Sequence, residues 1–167
     1  MADLADLNAM APDDFTATLG GVFEHSPWVA ARAARHRPFD DVAALHRALC
    51  AVVSEASEAE QRALLQAHPD LAGRLARAGT LTPDSAAEQG GLGLDRLSSD
   101  EFERFDSLNR AYRAKFGFPF IAAVRRHDRQ SLLAAFEARL RHDPASERLV
   151  ALDEVALIAR YRLQALA

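Results

Sequence analysis

Apolar residues recur at intervals of three or four along the whole chain, which places them on one face of successive α-helices. No stretch alternates apolar and polar residues as a half-buried strand does. The sequence therefore predicts an all-α protein with essentially no sheet, in which eight or more helices form one compact single-domain bundle over residues 1–167. The clearest stripes are Phe15, Leu19, Val22 and Phe23; Val42, Leu45, Leu49 and Val52; Phe102, Phe105, Leu108, Tyr112 and Phe116; and Leu149, Leu152, Val155, Ile158 and Leu163.

Residues typical of helix starts precede most of these stripes. Ser57 and Glu60 have the spacing of a capping box, in which each side chain satisfies a backbone N–H of the other residue. Ser26-Pro27 and Thr82-Pro83 each pair an N-cap residue with a proline suited to the first helical position. These signals predict helices that begin at Ser57, at Ser26-Pro27 and at Thr82-Pro83.

His68 stands directly before Pro69, at the junction between two helical patterns. Proline fixes its own φ and pushes the preceding residue out of the helical region, so Pro69 is expected to begin a helix that ends at Gly79. That geometry would hold an imidazole at a helix start, where backbone N–H groups converge. A role in capping the helix is the competing interpretation of His68.

Ser85, Glu88 and Gln89 follow at i, i+3 and i+4, so they share one helical face. A carboxylate near a histidine orients it and tunes its pKa for acid–base work near neutrality. Glycines 90, 91 and 93 follow, where flexible backbone is costly unless the chain turns sharply or approaches something closely. The pattern indicates a small-molecule site, although Glu88 and Gln89 would also suit an exposed helix surface.

Two further stretches bear on this site. The run from Phe116 to Ile121 is too apolar for a surface loop, and it is either a buried connection or the wall of a pocket. Arg160 and Arg162 on the last helix are candidates for holding an anionic substrate, with one of the two expected to be a surface charge.

Composition excludes several classes of protein. A formal net charge of −4 argues against nucleic-acid binding, which leaves a basic surface. The single cysteine, Cys50, rules out an internal disulfide and is expected to be an inert core thiol. No signal peptide or membrane-spanning run is evident, so we expect a cytoplasmic protein that binds no membrane.

Other functions remain open on these residues alone. No HExxH motif, cysteine pair or close two-histidine–carboxylate spacing is present, so no metal is expected. A non-catalytic binding module for a small ureide or purine-like ligand would use the same polar face. A structural dimerisation domain would leave that face without a purpose.

Taken together, the motifs resemble the family of 2-oxo-4-hydroxy-4-carboxy-5-ureidoimidazoline (OHCU) decarboxylases over nearly the whole chain. Each motif is short, but their order and spacing together are specific. They are Glu24-His25-Ser26-Pro27-Trp28, Arg37-Pro38-Phe39, His68-Pro69-Asp70-Leu71-Ala72-Gly73, Leu81-Thr82 with Ser85, Glu88-Gln89, Gly91-Leu92-Gly93-Leu94, Leu108-Asn109 with Tyr112, Lys115 to Ile121, and Arg162-Leu163.

The resemblance implies an all-helical homodimer that needs no cofactor and decarboxylates a small ureide of urate breakdown to (S)-allantoin. It also implies that His68 is the catalytic histidine, with Glu88 and Arg162 as supporting charges. Two departures are visible: Leu92 stands where the family often has alanine between the glycines, and Arg160 adds a second arginine near Arg162. The implied substrate-binding residues are Pro69, Ser85, Ala86, Ala87, Glu88, Gln89, Phe120, Ile121, Ala122, Ala123 and Val124.

Overall fold

The computed structural model describes residues 2–73 and 79–166, and in this part of the chain the all-α prediction is confirmed. The described residues form nine α-helices, two short 3-10 helices at Ala34–His36 and Val124–Arg126, and no strand. None of these helices is long and apolar enough to cross a membrane. The α-helices are α1 Leu4–Ala9, α2 Pro12–Leu19, α3 Trp28–Ala33, α4 Val42–Glu55, α5 Glu58–Gln66, α6 Pro83–Gly90, α7 Ser99–Phe116, α8 Arg129–Arg139 and α9 Pro144–Leu166.

Two of the predicted helix starts are confirmed by their caps. Ser57 and Glu60 form the capping box of α5. The Thr82 hydroxyl accepts a hydrogen bond from Ser85 N–H, with Pro83 at the first helical position of α6. At the far end of α7, Gly117 ends the helix with φ +79°, a left-handed conformation that glycine adopts without strain.

Two predicted starts are wrong. Helix α3 begins at Trp28, and Ser26 caps nothing: its hydroxyl donates to the main-chain carbonyl of Glu24 at 3.1 Å. Pro69 does not begin a helix, because residues 69–73 form an irregular turn in which Ala72 has φ +54°. The rest of the helix expected to end at Gly79 falls on residues 74–78, outside the described part.

The described residues divide into two compact units, of which the first comprises 2–67 and 156–166. Helices α2, α3 and α4 pack together in it around fully buried Phe15, Leu45 and Leu49. The Arg37 guanidinium lies over the Phe15 ring at 4.9 Å and donates to carbonyls at the end of α1. Arg37 thus packs on this core while its charged group is hydrogen-bonded to main-chain carbonyls.

The second unit comprises the described residues of 68–155 and has an aromatic core. Tyr112 on α7 is fully buried and touches the rings of four phenylalanines. Helix α8 packs on α7 and contributes Phe136, which stacks on Phe120 at 3.9 Å between ring centroids. That residues 1–167 make one domain stays a prediction. The four phenylalanines are Phe116, Phe118, Phe120 and Phe136.

Candidate active site

His68 opens an irregular loop, residues 68–73, that we call the His68 loop. The histidine is buried, with 7% of its surface exposed, and Pro69 beside it is half-buried. Gln89 holds this loop with both ends of its amide: Ala72 N–H donates to Gln89 Oε1 at 2.9 Å, and Gln89 Nε2 donates to the Asp70 carbonyl at 3.3 Å. Helix α6 is therefore tied directly to the loop that carries the histidine.

Helix α7 contributes two more bonds to the same loop. Asn109 Nδ2 donates to the Leu71 carbonyl at 2.9 Å, and Arg113 Nε donates to Asp70 Oδ1 at 2.9 Å. Buried backbone groups outside regular structure need such side-chain partners. These partners explain why Pro69 does not start a helix: distant polar side chains stabilise the turn that local sequence does not reveal.

The polar residues of α6 share one face, as the spacing predicted, and that face points inward. Ser85 and Gln89 are buried and Glu88 is half-buried, whereas Ala86 and Ala87 are exposed on the other side of the helix. The two alanines thus do not share the face of the three polar residues.

The glycine turn after α6 brings the chain close to an arginine. Gly93 has φ +67°, and a Cβ built there would lie 2.3 Å from Arg129 Nη2. Arg129 Nε donates to the Leu92 carbonyl at 2.7 Å. The left-handed φ therefore favours glycine at position 93, and a side chain there would also displace the Arg129 guanidinium.

The 120–124 segment completes the arrangement within the second unit. Its five residues are all buried, and α6 packs against the 3-10 helix Val124–Arg126 that continues it. This burial agrees with both interpretations of the run from Phe116 to Ile121, a buried connection and the wall of a pocket. Three stretches predicted to bind substrate therefore converge: the His68 loop, α6 and the 120–124 segment, which consists of Phe120, Ile121, Ala122, Ala123 and Val124.

Arg162 belongs to the first unit, where it forms a buried ion pair that the sequence did not reveal. Its Nη2 lies 2.8 Å from Glu24 Oε2, and its Nη1 donates to the Gly21 carbonyl at 2.9 Å. Glu24 is 1% exposed and Arg162 6%. The partners are 138 positions apart in the sequence, so no local pattern predicts the pair. The only sign of Glu24 in the sequence is its position in the motif Glu24-His25-Ser26-Pro27-Trp28, through which the chain resembles the family.

Arg160 points elsewhere. It is exposed and lines a groove of about 490 Å³ with His46 and Arg47. Residues two apart on an α-helix face about 200° apart, so Arg160 does not share the surroundings of Arg162. The expectation that one of the two arginines is a surface charge is confirmed.

The remaining candidate groups have structural roles. His46 Nε2 lies 2.8 Å from the Ala156 carbonyl, and half-buried Cys50 lies 3.4 Å from the same nitrogen. Burial raises the pKa of the Cys50 thiol, which keeps it protonated and unreactive. Across residues 2–73 and 79–166, no three histidine, cysteine, aspartate or glutamate side chains are grouped to hold a metal ion.

The hydrogen bonds of Gln89 give a direct stability test. Gln89→Met keeps the length of the side chain but leaves the buried Ala72 N–H without its acceptor, which costs about 1–3 kcal/mol. We expect the free energy of unfolding, measured by urea denaturation, to fall by that amount. Gln130→Met, on the exposed surface of α8, is the control and should change little. Equal stability of the two variants would contradict the bonding of Gln89 to the loop.

The described residues thus define an all-α protein in which a buried histidine loop, the acid–amide face of α6 and a buried apolar segment lie together in the second unit. The chain belongs to the OHCU decarboxylase family, whose profile matches residues 8–164.

Similar proteins support this assignment across the full length of the chain. The 2-oxo-4-hydroxy-4-carboxy-5-ureidoimidazoline decarboxylase of Haloferax volcanii is 43% identical over 160 residues, which are 96% of this chain and 93% of that protein. The uric acid degradation bifunctional protein PucL of Bacillus subtilis is 41% identical over 98% of this chain and 32% of its own length. This chain therefore corresponds to one part of the bifunctional protein.

Two crystal structures have a similar fold. That of (S)-allantoin synthase superposes with a TM-score of 0.78 at 34% identity, covering 98% of this chain and 54% of the other. That of OHCU decarboxylase in the presence of (S)-allantoin superposes with a TM-score of 0.66 over 92% of this chain and 96% of the other. At 19% identity, the second likeness supports the fold alone.

Proposed function

We propose that this chain is a carboxy-lyase that converts OHCU to (S)-allantoin in urate degradation, without a cofactor. Family membership over residues 8–164 supports the reaction. The geometric observation that carries the site is the tie between Gln89 and the His68 loop, since the same helix bears Glu88. The proposed proton donor, His68, and the carboxylate of Glu88 therefore belong to two segments that are hydrogen-bonded to each other.

For the decarboxylation, the protein has to orient the substrate, stabilise the developing charge and supply one proton. The C–C bond to the carboxylate breaks, CO₂ leaves, and the electron pair moves into the adjacent unsaturated ring as an enol-like intermediate. A proton then adds to one face of the ring. The protein must turn the carboxylate out of the ring plane, stabilise the developing charge and deliver that proton from one side.

His68 is the proton donor in this proposal, hydrogen-bonded to the substrate hydroxyl before it acts. Glu88 orients the imidazole, favours its protonated form and accepts from ureido N–H groups. Arg162 holds substrate oxygens with two parallel hydrogen bonds. Protonation from one side gives (S)-allantoin, whereas spontaneous decay gives the racemate.

The other substrate contacts come from the segments around these three residues. Pro69 and Ser85 contact the ligand by their side chains. Ala86 and Ala87 belong to the proposed binding stretch because the family resemblance implies it, while their own side chains are exposed. Gln89 hydrogen-bonds an amide of the ligand with the Nε2 hydrogen and the Oε1 lone pair that its bonds to the His68 loop do not use. Main-chain groups of residues 120–124 read the remaining amides.

We further propose that the protein acts in the cytoplasm as a homodimer and binds no nucleic acid. The resemblance to the family supports the dimer. The net charge of −4 supports the absence of a nucleic-acid partner.

A coupled assay tests the function. Urate is mixed with urate oxidase, hydroxyisourate hydrolase and this protein, and circular dichroism follows the product. We expect optical activity to appear at a rate proportional to the concentration of this protein. Only racemic allantoin at the spontaneous rate would contradict the enzyme and favour a non-catalytic ureide-binding module.

A further inference from the structure

Three buried polar residues of the second unit form a cluster that the proposed reaction has not used: Tyr112, Arg139 and Glu147. Glu147 is fully buried, and its Oε1 accepts from Arg139 Nε at 2.6 Å and from the Tyr112 hydroxyl. Its Oε2 lies 2.9 Å from His142 Nδ1. Burial and the hydrogen bond to Glu147 raise the pKa of Tyr112, so the phenol keeps its proton and acts as a donor. Glu147 thereby fixes the guanidinium of Arg139.

Arg139 in turn holds the 120–124 segment in two ways. Its Nη1 donates to the Ile121 carbonyl at 2.6 Å, and its Cζ lies 4.4 Å from the centre of the Phe120 ring. A trans peptide is planar, with its C=O and N–H pointing in opposite directions. Anchoring the Ile121 carbonyl on Arg139 therefore directs the Ala122 N–H away from the arginine.

Stability alone does not account for this cluster. A buried ion pair contributes little net stability, because desolvating the two charges offsets their attraction. In addition, Arg139 Nη2 is buried and has no hydrogen-bond partner among the described residues. A buried donor without a partner destabilises the folded state. The cluster therefore stabilises the core less than apolar residues would, but it fixes the plane of the peptide between Ile121 and Ala122.

We propose that Arg139 is a positioning residue for the reaction, fixing the 120–124 main chain so that Ala122 N–H receives a substrate oxygen, and that Glu147 fixes Arg139. This inference rests on the proposed function, in which residues 120–124 contact the substrate. The oxygen belongs to the class of neutral ureide or lactam carbonyls, because a single main-chain N–H suits an uncharged acceptor. Arg139 itself touches no substrate.

The first test is Arg139→Lys, which keeps a cation beside Glu147. One ammonium group lacks the planar fork that bonds Glu147 and Ile121 together while lying over Phe120. We expect KM to rise about 10-fold with a smaller change in kcat, and (S)-allantoin to bind more weakly by a similar factor in calorimetry. Hydrogen exchange at residues 121–123 should become faster. Glu137→Gln, on the same helix in an exposed ion pair with Arg104, is the matched control and should leave all three unchanged.

A second variant separates positioning from stability. Tyr112→Phe, Arg139→Met and Glu147→Leu together remove both charges and the phenol, so no buried charge is left unpaired. The melting temperature should fall only by what the loss of the Arg139 donor to the buried Ile121 carbonyl costs. KM should still rise at least as far as in Arg139→Lys. A lower melting temperature with wild-type KM, allantoin affinity and exchange at 121–123 would overturn the proposal. A wild-type protein without turnover would refute the proposed function instead, whereas the exchange experiment would still decide whether Arg139 fixes the segment.

Discussion

His68→Asn is expected to lower kcat by about 10²–10⁴-fold, the contribution typical of a positioned general acid. Asparagine is polar and smaller than histidine, so it fits the buried position without a clash, but it has no group that titrates near neutrality. The residual reaction should also lose its stereochemical preference, because no other donor delivers the proton from one face. The coupled assay with circular dichroism measures both effects, and a thermal melt shows whether the variant is folded.

His36→Asn is the matched control, since His36 is exposed at the end of a 3-10 helix in the first unit. It should retain wild-type kcat and product chirality. Retention of the stereospecific rate in His68→Asn would remove His68 from the proposed mechanism.

Local signals predicted the helices because helix formation is largely local. The capping box of Ser57 and Glu60 and the Thr82-Pro83 start both satisfy backbone groups within one turn, so a few adjacent residues contain the whole cause. That Ser85, Glu88 and Gln89 share one face was predictable for the same reason, since helical geometry fixes which residues lie on the same side. The spacing did not decide whether that face points inward or to solvent.

The irregular parts of the site could not be predicted in this way. The turn after Pro69 depends on Gln89 and Asn109, which lie 17 and 38 residues away from the main-chain groups they bind. Glu147 illustrates the same limit. By sequence it is an acidic residue suited to the first turn of α9, yet it is fully buried against Tyr112 and Arg139. Resemblance identified the chemistry of His68, Glu88 and Arg162, and their joint action stays a prediction.

A common device positions the segments of the second unit that carry the site. Gln89 and Asn109 bind the main chain of the His68 loop, and Arg139 binds the main chain of the 120–124 segment. In each case a long polar side chain from a regular helix fixes irregular backbone that cannot satisfy its own hydrogen bonds. Helical scaffolding thus gives loops the rigidity that a catalytic geometry needs. The geometry of the proposed site therefore depends on Gln89, Asn109 and Arg139 as much as on the groups proposed to touch substrate.

In the first unit, Glu24→Ala is expected to lower the free energy of unfolding by about 3–5 kcal/mol, because it removes one partner of a buried ion pair and leaves Arg162 Nη2 without this carboxylate. Urea denaturation measures this loss. Asp106→Ala, which removes an exposed i,i+4 pair with Arg110, is the control and should leave the unfolding midpoint nearly unchanged.

Glu24→Leu combined with Arg162→Met separates the two roles of the pair. The double variant leaves no buried charge alone, so much of the lost stability should return. Turnover should not return, because the guanidinium proposed to hold the substrate is gone. A stable double variant with wild-type kcat/KM would show that Arg162 serves only the fold. A Glu24→Ala variant as stable as the wild type would show instead that the guanidinium does not depend on Glu24.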